Sequence, residues 1–218
     1  MIEGNFIVLE GVDGAGTTTH TRILQEALMQ RGLPVRATRE PSDGPVGVLI
    51  RQILSGRCVV PGLHGSRPPS WTTMALLFAA DRTDHIEAEI VPNMMDGVTV
   101  ISDRYDYSSV AYQSVSAGEE GVIEWVKTLN AHARRPDLTI VLDIAPDVAE
   151  QRRIDRRAGR EIYDDSDLQR QLADFYTKME THFPDDRIVH IDADRSIDEV
   201  ARDVMNAVRA LRNEDPLS

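Results

Sequence analysis

Five short apolar, β-rich runs recur along the chain, at Phe6–Leu9, Val35–Thr38, Val98–Ile101, Leu138–Leu142 and Ile188–Ile191. A segment long enough for a helix separates each run from the next. Strands that are apolar throughout, rather than at every second residue, must be covered on both faces. Strands that alternate with helices pair in parallel. The pattern therefore predicts an α/β fold, a five-stranded parallel sheet with helices on both faces. Ligands of such sheets gather at the carboxyl ends of the strands. That singles out the polar residues just past the runs: Asp13, Arg39-Glu40, Asp103-Arg104 and Asp143.

The 218 residues, 41% hydrophobic and 28% charged, suit a single domain spanning 1–218. Two segments break the rhythm. An irregular loop at about 55–70 carries Gly56, Pro61, Gly62, Gly65, Pro68 and Pro69, and an arginine-rich lid is expected at about 150–164. Over 197–211, Val200, Val204, Val208 and Leu211 share one face, so a final helix packs on the core.

A net charge of −12 argues against broad binding to nucleic acid or a membrane surface, so an anionic ligand must be held by local cations. Arginine supplies nearly all of these; only Lys127 and Lys178 are lysines. Cys58 stands alone, which leaves no intramolecular disulfide and no cysteine metal cluster. With no apolar run of membrane-spanning length and no basic-then-apolar leader, a cytoplasmic location is the expectation.

Gly11-Val12-Asp13-Gly14-Ala15-Gly16-Thr17-Thr18-Thr19 follows the first apolar run and enters a segment, 21–31, where Ile23, Ala27 and Leu28 fall at helical spacing. Strand, glycine turn and helix start are the context in which G-x-x-x-x-G-K-[ST] cradles phosphate with backbone N–H groups. Here Thr17 stands where the lysine belongs. Thr18 occupies the position whose hydroxyl meets Mg2+. A glycine turn without a ligand is the competing reading of this stretch alone.

Three further groups carry chemistry. Asp103-Arg104 ends a buried strand, where a carboxylate can hold Mg2+ and an arginine can fork onto phosphate, or the two can simply cap a helix. Phe78 and Arg82 are four apart on a helical pattern, suited to stacking a base and bonding its edge, or to a core face. Arg152, Arg153, Arg156, Arg157 and Arg160 suit a lid that closes over phosphates, or a solvated helix face.

Together these pieces resemble the thymidylate kinases, P-loop nucleoside monophosphate kinases. The matching stretches are Phe6–Gly16, Thr38-Arg-Glu-Pro41, Leu76–Arg82 and Asp103–Gln113, in the family's order and spacing. The resemblance implies transfer of a phosphoryl group from ATP to dTMP, with Mg2+, in a homodimer. It places Asp13 near the deoxyribose 3′-hydroxyl and acceptor phosphate, Phe78 on thymine and Arg82 at the base edge. Ser109 and Gln113 would line the base pocket, with Tyr112 beneath the sugar. Arg39 and Arg104 would grip the acceptor phosphate, and Asp103 and Thr18 would serve the metal. Gly14 and Ala15 in the loop suit the members whose catalytic arginine comes from the lid, leaving Arg153, Arg156, Arg157 and Arg160 as candidates. Thr17 keeps two other readings open: a kinase for another nucleoside monophosphate, or a catalytically weak nucleotide-binding protein.

Overall fold

The computed structural model describes residues 4–63, 65–155, 163 and 165–215. Its five strands are β1 (Phe6–Glu10), β2 (Val35–Arg39), β3 (Thr99–Asp103), β4 (Leu138–Asp143) and β5 (Ile188–Asp192). They form one sheet in the order β2-β3-β1-β4-β5, with every pairing parallel. The helices between them are α1 (Thr17–Gln30), α2 (Pro45–Leu54), α3 (Trp71–His85), α4 (Val91–Met95), α5 (Asp106–Ala117), α6 (Val122–Leu129), α7 (Pro146–Asp155), α8 (Ser166–Tyr176), α9 (Met179–His182) and α10 (Ile197–Leu211).

All five apolar runs are strands, but their bounds shift in one direction. Each strand includes the polar residue that follows its run: Glu10, Arg39, Asp103, Asp143 and Asp192. A parallel ladder is made by the backbone, so it continues past the point where hydrophobicity stops. The third strand departs most from its apolar run, starting at Thr99 and ending on Asp103, which pairs with Leu9. Central strands β1, β3 and β4 are buried almost throughout, while the edge strands β2 and β5 are half-exposed.

Helix α1 begins at Thr17, four residues before the periodicity suggested. Its buried face is Thr17, His20, Thr21, Leu24 and Leu28, which leaves Ile23 and Ala27 at the margin. Helix α10 spans the expected residues, opened by a capping box between Ser196 and Glu199. It packs with α1 on one side of the sheet, while α3, α5, α6 and α8 pack together around the other. In the 55–70 segment an antiparallel bridge joins Val60 and Arg67. Past His85, one π turn (Ile86–Ile90) leads into Pro92. A proline ring there would clash with the Ala88 carbonyl of a regular α-helix, and the wider turn accommodates it.

Candidate active site

At the carboxyl edge of the sheet, β1 turns into the glycine loop. Gly11, Gly14 and Gly16 have φ of 153°, 97° and 101°. A Cβ on Gly14 would lie 2.5 Å from the Ala149 carbonyl oxygen, so its absence lets α7 rest on the loop. Gly16 caps α1 with no side-chain hydrogen bond, which leaves the first-turn amides available to an anion.

Thr17 is buried at the start of this helix. The Thr18 hydroxyl donates to Asp103 Oδ2, and Asp103 Oδ1 is buried without a partner. A hydroxyl beside a carboxylate with one oxygen free fits Mg2+, which needs only one or two protein ligands when phosphates and water supply the rest.

Arg104, with φ of 71°, turns its side chain back under the loop. It pairs with Asp13 at 2.5 Å and donates to the Gly11 carbonyl at 2.9 Å and to Ser108 Oγ at 3.1 Å. Burial opposes its charge, but Tyr112, Asp13, Tyr176 and Glu10 outweigh that and hold its pKa well above the ordinary arginine value. Asp13 is held from its other side. Gln169 of α8 donates to Asp13 Oδ2 at 3.0 Å and accepts the Asp13 N–H at 3.3 Å. The same amide donates to the Tyr163 carbonyl at 2.9 Å, tying that residue to the loop.

Beneath Arg104 lies Glu10, fully buried. It accepts the N–H groups of Tyr105 (2.8 Å) and Ser108 (3.2 Å) and the hydroxyls of Ser108 (2.7 Å) and Tyr176 (3.0 Å). Burial pushes its carboxyl up to about 7, against the pull of Arg104 and these bonds.

Next to this network opens a cavity of about 140 Å3. Phe78, Arg82, Arg104, Ser109, Tyr112 and Gln113 all line it, along with Asp13. Arg82 is buried and held by Glu40 at 2.5 Å, Asn130 at 2.5 Å and Ser109 at 3.0 Å, while its Nε has no partner. Gln113 is buried too, and neither atom of its amide completes a hydrogen bond of normal geometry, although Tyr163 faces it. Both residues line the cavity, and their unpaired donors and acceptors are groups that a polar planar ligand could satisfy. Tyr112 packs edge-on against Tyr163 at 5.1 Å and lies 5.6 Å from the Arg104 guanidinium.

Arg39 does not line the cavity. It is exposed and pairs with Asp43 at 2.7 Å, because neighbouring strand residues point to opposite sides and Glu40 takes the inward position. Among the arginines of the arginine-rich segment, Arg153 of α7 donates to the Asp13 carbonyl at 2.7 Å and Arg152 to the Ala193 carbonyl at 3.1 Å. Arg156, Arg157 and Arg160 lie outside the described residues.

The family model for thymidylate kinase matches residues 9–204. The chain belongs to the thymidylate kinase family. A probable thymidylate kinase of Pyrococcus horikoshii is 39% identical over 209 residues, covering 95% of this chain and 97% of that one. A probable thymidylate kinase of Pyrobaculum aerophilum is 40% identical over 208 residues, covering 94% and 96%. A thymidylate kinase of Symbiobacterium thermophilum is 36% identical over 212 residues, covering 93% and 92%. The chain is thus an enzyme, a nucleoside monophosphate kinase of the thymidylate type, acting by ATP-dependent phosphoryl transfer.

Within this thymidylate kinase fold two site residues carried no warning in the sequence: Glu10 looked like the end of an apolar run, and Gln169 like an ordinary polar helix residue. Glu40 was singled out as a polar residue past its run, but without the role of holding Arg82. The signal that could have found that role is strand alternation, extended one residue past the apolar run. Nothing local marked Gln169, which meets Asp13 across 156 residues of chain.

Proposed function

We propose that this chain makes dTDP from dTMP and ATP in one in-line transfer, as a single domain with its arginine-rich segment closing as a lid. What supports the reading is the Arg104–Asp13 pair, which stands between the phosphate loop and the cavity that holds Phe78, Arg82 and Gln113. A phosphate bound there faces both substrates' halves of the site.

In this reading dTMP enters the cavity with thymine on Phe78. The Arg82 Nε–H and the Gln113 amide satisfy the base edge, Ser109 lines it, and Tyr112 packs beneath the sugar where a 2′-hydroxyl would be crowded. Arg104 forks onto the acceptor phosphate, and Asp13 lies near it and the 3′-hydroxyl. Arg39 reaches the phosphate only by releasing Asp43. ATP lies on Gly11–Thr19, with the phosphates on the loop amides and the start of α1. Bound Mg2+, held by Thr18 and Asp103, would neutralise charge on the β- and γ-phosphates.

The cation absent at Thr17 comes from α7. Because Gly14 admits α7 to the loop, Arg153, one turn beyond Ala149, reaches the Asp13 carbonyl. From that place it can meet the transferring phosphoryl group. Charge stabilisation of this kind is the main work of a phosphoryl transferase. A homodimer and a cytoplasmic location complete the proposal, the first testable by sedimentation.

The decisive measurement is steady-state kinetics with Mg-ATP and dTMP, dUMP, dCMP or dGMP. The reading expects the largest kcat/KM for dTMP. A larger value for another acceptor, or turnover of dTMP no faster than background, would overturn it.

A further inference from the structure

Arg82 and its partner Glu40 both line the cavity, and what fixes Glu40 lies behind it. Glu40 Oε2 accepts from Arg82 Nη2 at 2.5 Å, and Glu40 Oε1 faces His85 Nδ1 at 3.2 Å. Both partners stand on α3, three residues apart on one face, and the carboxylate is clamped between them. All three side chains are buried. On its far side, His85 Nε2 lies 2.7 Å from Thr38 Oγ1 and 3.4 Å from Glu89, which also pairs with Arg36. The loop that carries Glu40 is pinned in turn by Asp81, which accepts the Ser42 N–H and hydroxyl at 2.7 and 2.6 Å.

We propose that His85 is a positioning residue for acceptor recognition: its Nδ1–H holds the Glu40 carboxylate, and through it the Arg82 guanidinium, in the orientation that leaves Nε unpaired on a residue lining the cavity. Nδ1 can bond a carboxylate only as a donor, whatever Nε2 carries. Without that donor, Glu40 turns toward Arg82 and competes for Nε–H. Asn130 and Ser109 hold the outer nitrogens of Arg82, but neither reaches Nε. His85 itself lies outside the cavity, so its effect travels through Glu40. The inference rests on the reading that the cavity takes the acceptor nucleotide.

The test separates the two ring nitrogens. Asparagine places its amide near the Nδ1 position, and glutamine near Nε2. His85→Ala and His85→Gln should raise KM for dTMP about tenfold, as expected for a lost hydrogen bond to a charged group. KM for ATP and kcat should stay within about threefold of the unaltered enzyme. His85→Asn should restore KM for dTMP to within about threefold. A purely structural role would make Asn and Gln variants equivalent and tie every kinetic constant to the thermal midpoint. That outcome, or an unchanged KM for dTMP in the Ala variant, overturns the inference. If His85→Ala fails to fold, the Asn and Gln variants still decide it. An unaltered enzyme without dTMP turnover would instead defeat the functional reading on which this rests.

Discussion

At the scale of single residues, the proposed chemistry turns on two side chains. Thr17 is buried where a lysine is ordinarily found, and Arg153 comes to the same loop from outside. If Arg153 supplies the missing charge, Arg153→Ala should lower kcat by about 10²-fold, the effect of removing one preorganised donor. Thr17→Lys should change kcat little alone but restore at least about tenfold in the Arg153→Ala background, a coupling that a double-mutant cycle reads directly. Additive effects would show that the two positions serve different charges. Glu10 gives the pH dependence. Its carboxyl titrates near 7 in the folded protein, against 4.5 ordinarily, so the folded state keeps a proton that the unfolded chain has lost. Stability from this group is complete below about 4.5 and is lost as pH rises toward 7. The full change is on the order of 3 kcal/mol. Urea unfolding between pH 4.5 and 8 should therefore show a shallower decline for Glu10→Gln; parallel curves would remove Glu10 as the cause.

At the scale of elements, the site is made by how closely pieces of backbone approach. The glycine loop touches α7 because Gly14 has no side chain, and Gly14 also holds φ of 97°. Gly14→Ala meets the Ala149 carbonyl and a left-handed backbone together, at a cost of about 2–4 kcal/mol. It should also push α7 and Arg153 away, so ATP turnover falls with stability. Gly32→Ala is the control. Its φ is 74°, but nothing lies within 4 Å of the added Cβ. It should cost about 1 kcal/mol and leave kinetics alone. Calorimetric midpoints with parallel kinetics separate the two; equal losses of activity would refute the packing argument. Helix α5 shows the same dependence on distant support. The N–H of Ser108, in its first turn, and that of Tyr105, which precedes it, are accepted by Glu10 of β1, not by a capping residue of the helix itself.

At the scale of the molecule, the sheet order puts β1 centrally, between β3 and β4, so that the loop after it meets residues from both flanks. Arg104 comes from the β3 side, and Gln169 and Tyr176 from the far end of the chain. Ligand binding should therefore brace the fold as a whole. With dTMP at about 100 times its Kd, the gain is ~2.7 kcal/mol, or roughly 5–10 °C in thermal midpoint for a chain of this size. Arg104→Ala should abolish most of that shift while leaving the shift with ATP. An unchanged dTMP shift in this variant would place the acceptor phosphate elsewhere.

The sequence by itself determined what depends on neighbours along the chain. The apolar runs required a covered parallel sheet. The loop glycines required backbone that side chains resist, and Phe78 with Arg82, like Asp103 with Arg104, was fixed in place by helix and strand spacing. Tertiary structure alone decided the pairings that give these residues their state. Glu10 is raised by burial, and Arg82 is held between Glu40, Asn130 and Ser109. The physical reason is range. Periodicity and backbone preference act over a few residues, whereas desolvation and hydrogen bonding join groups that lie 27 to 166 positions apart only once the chain has folded.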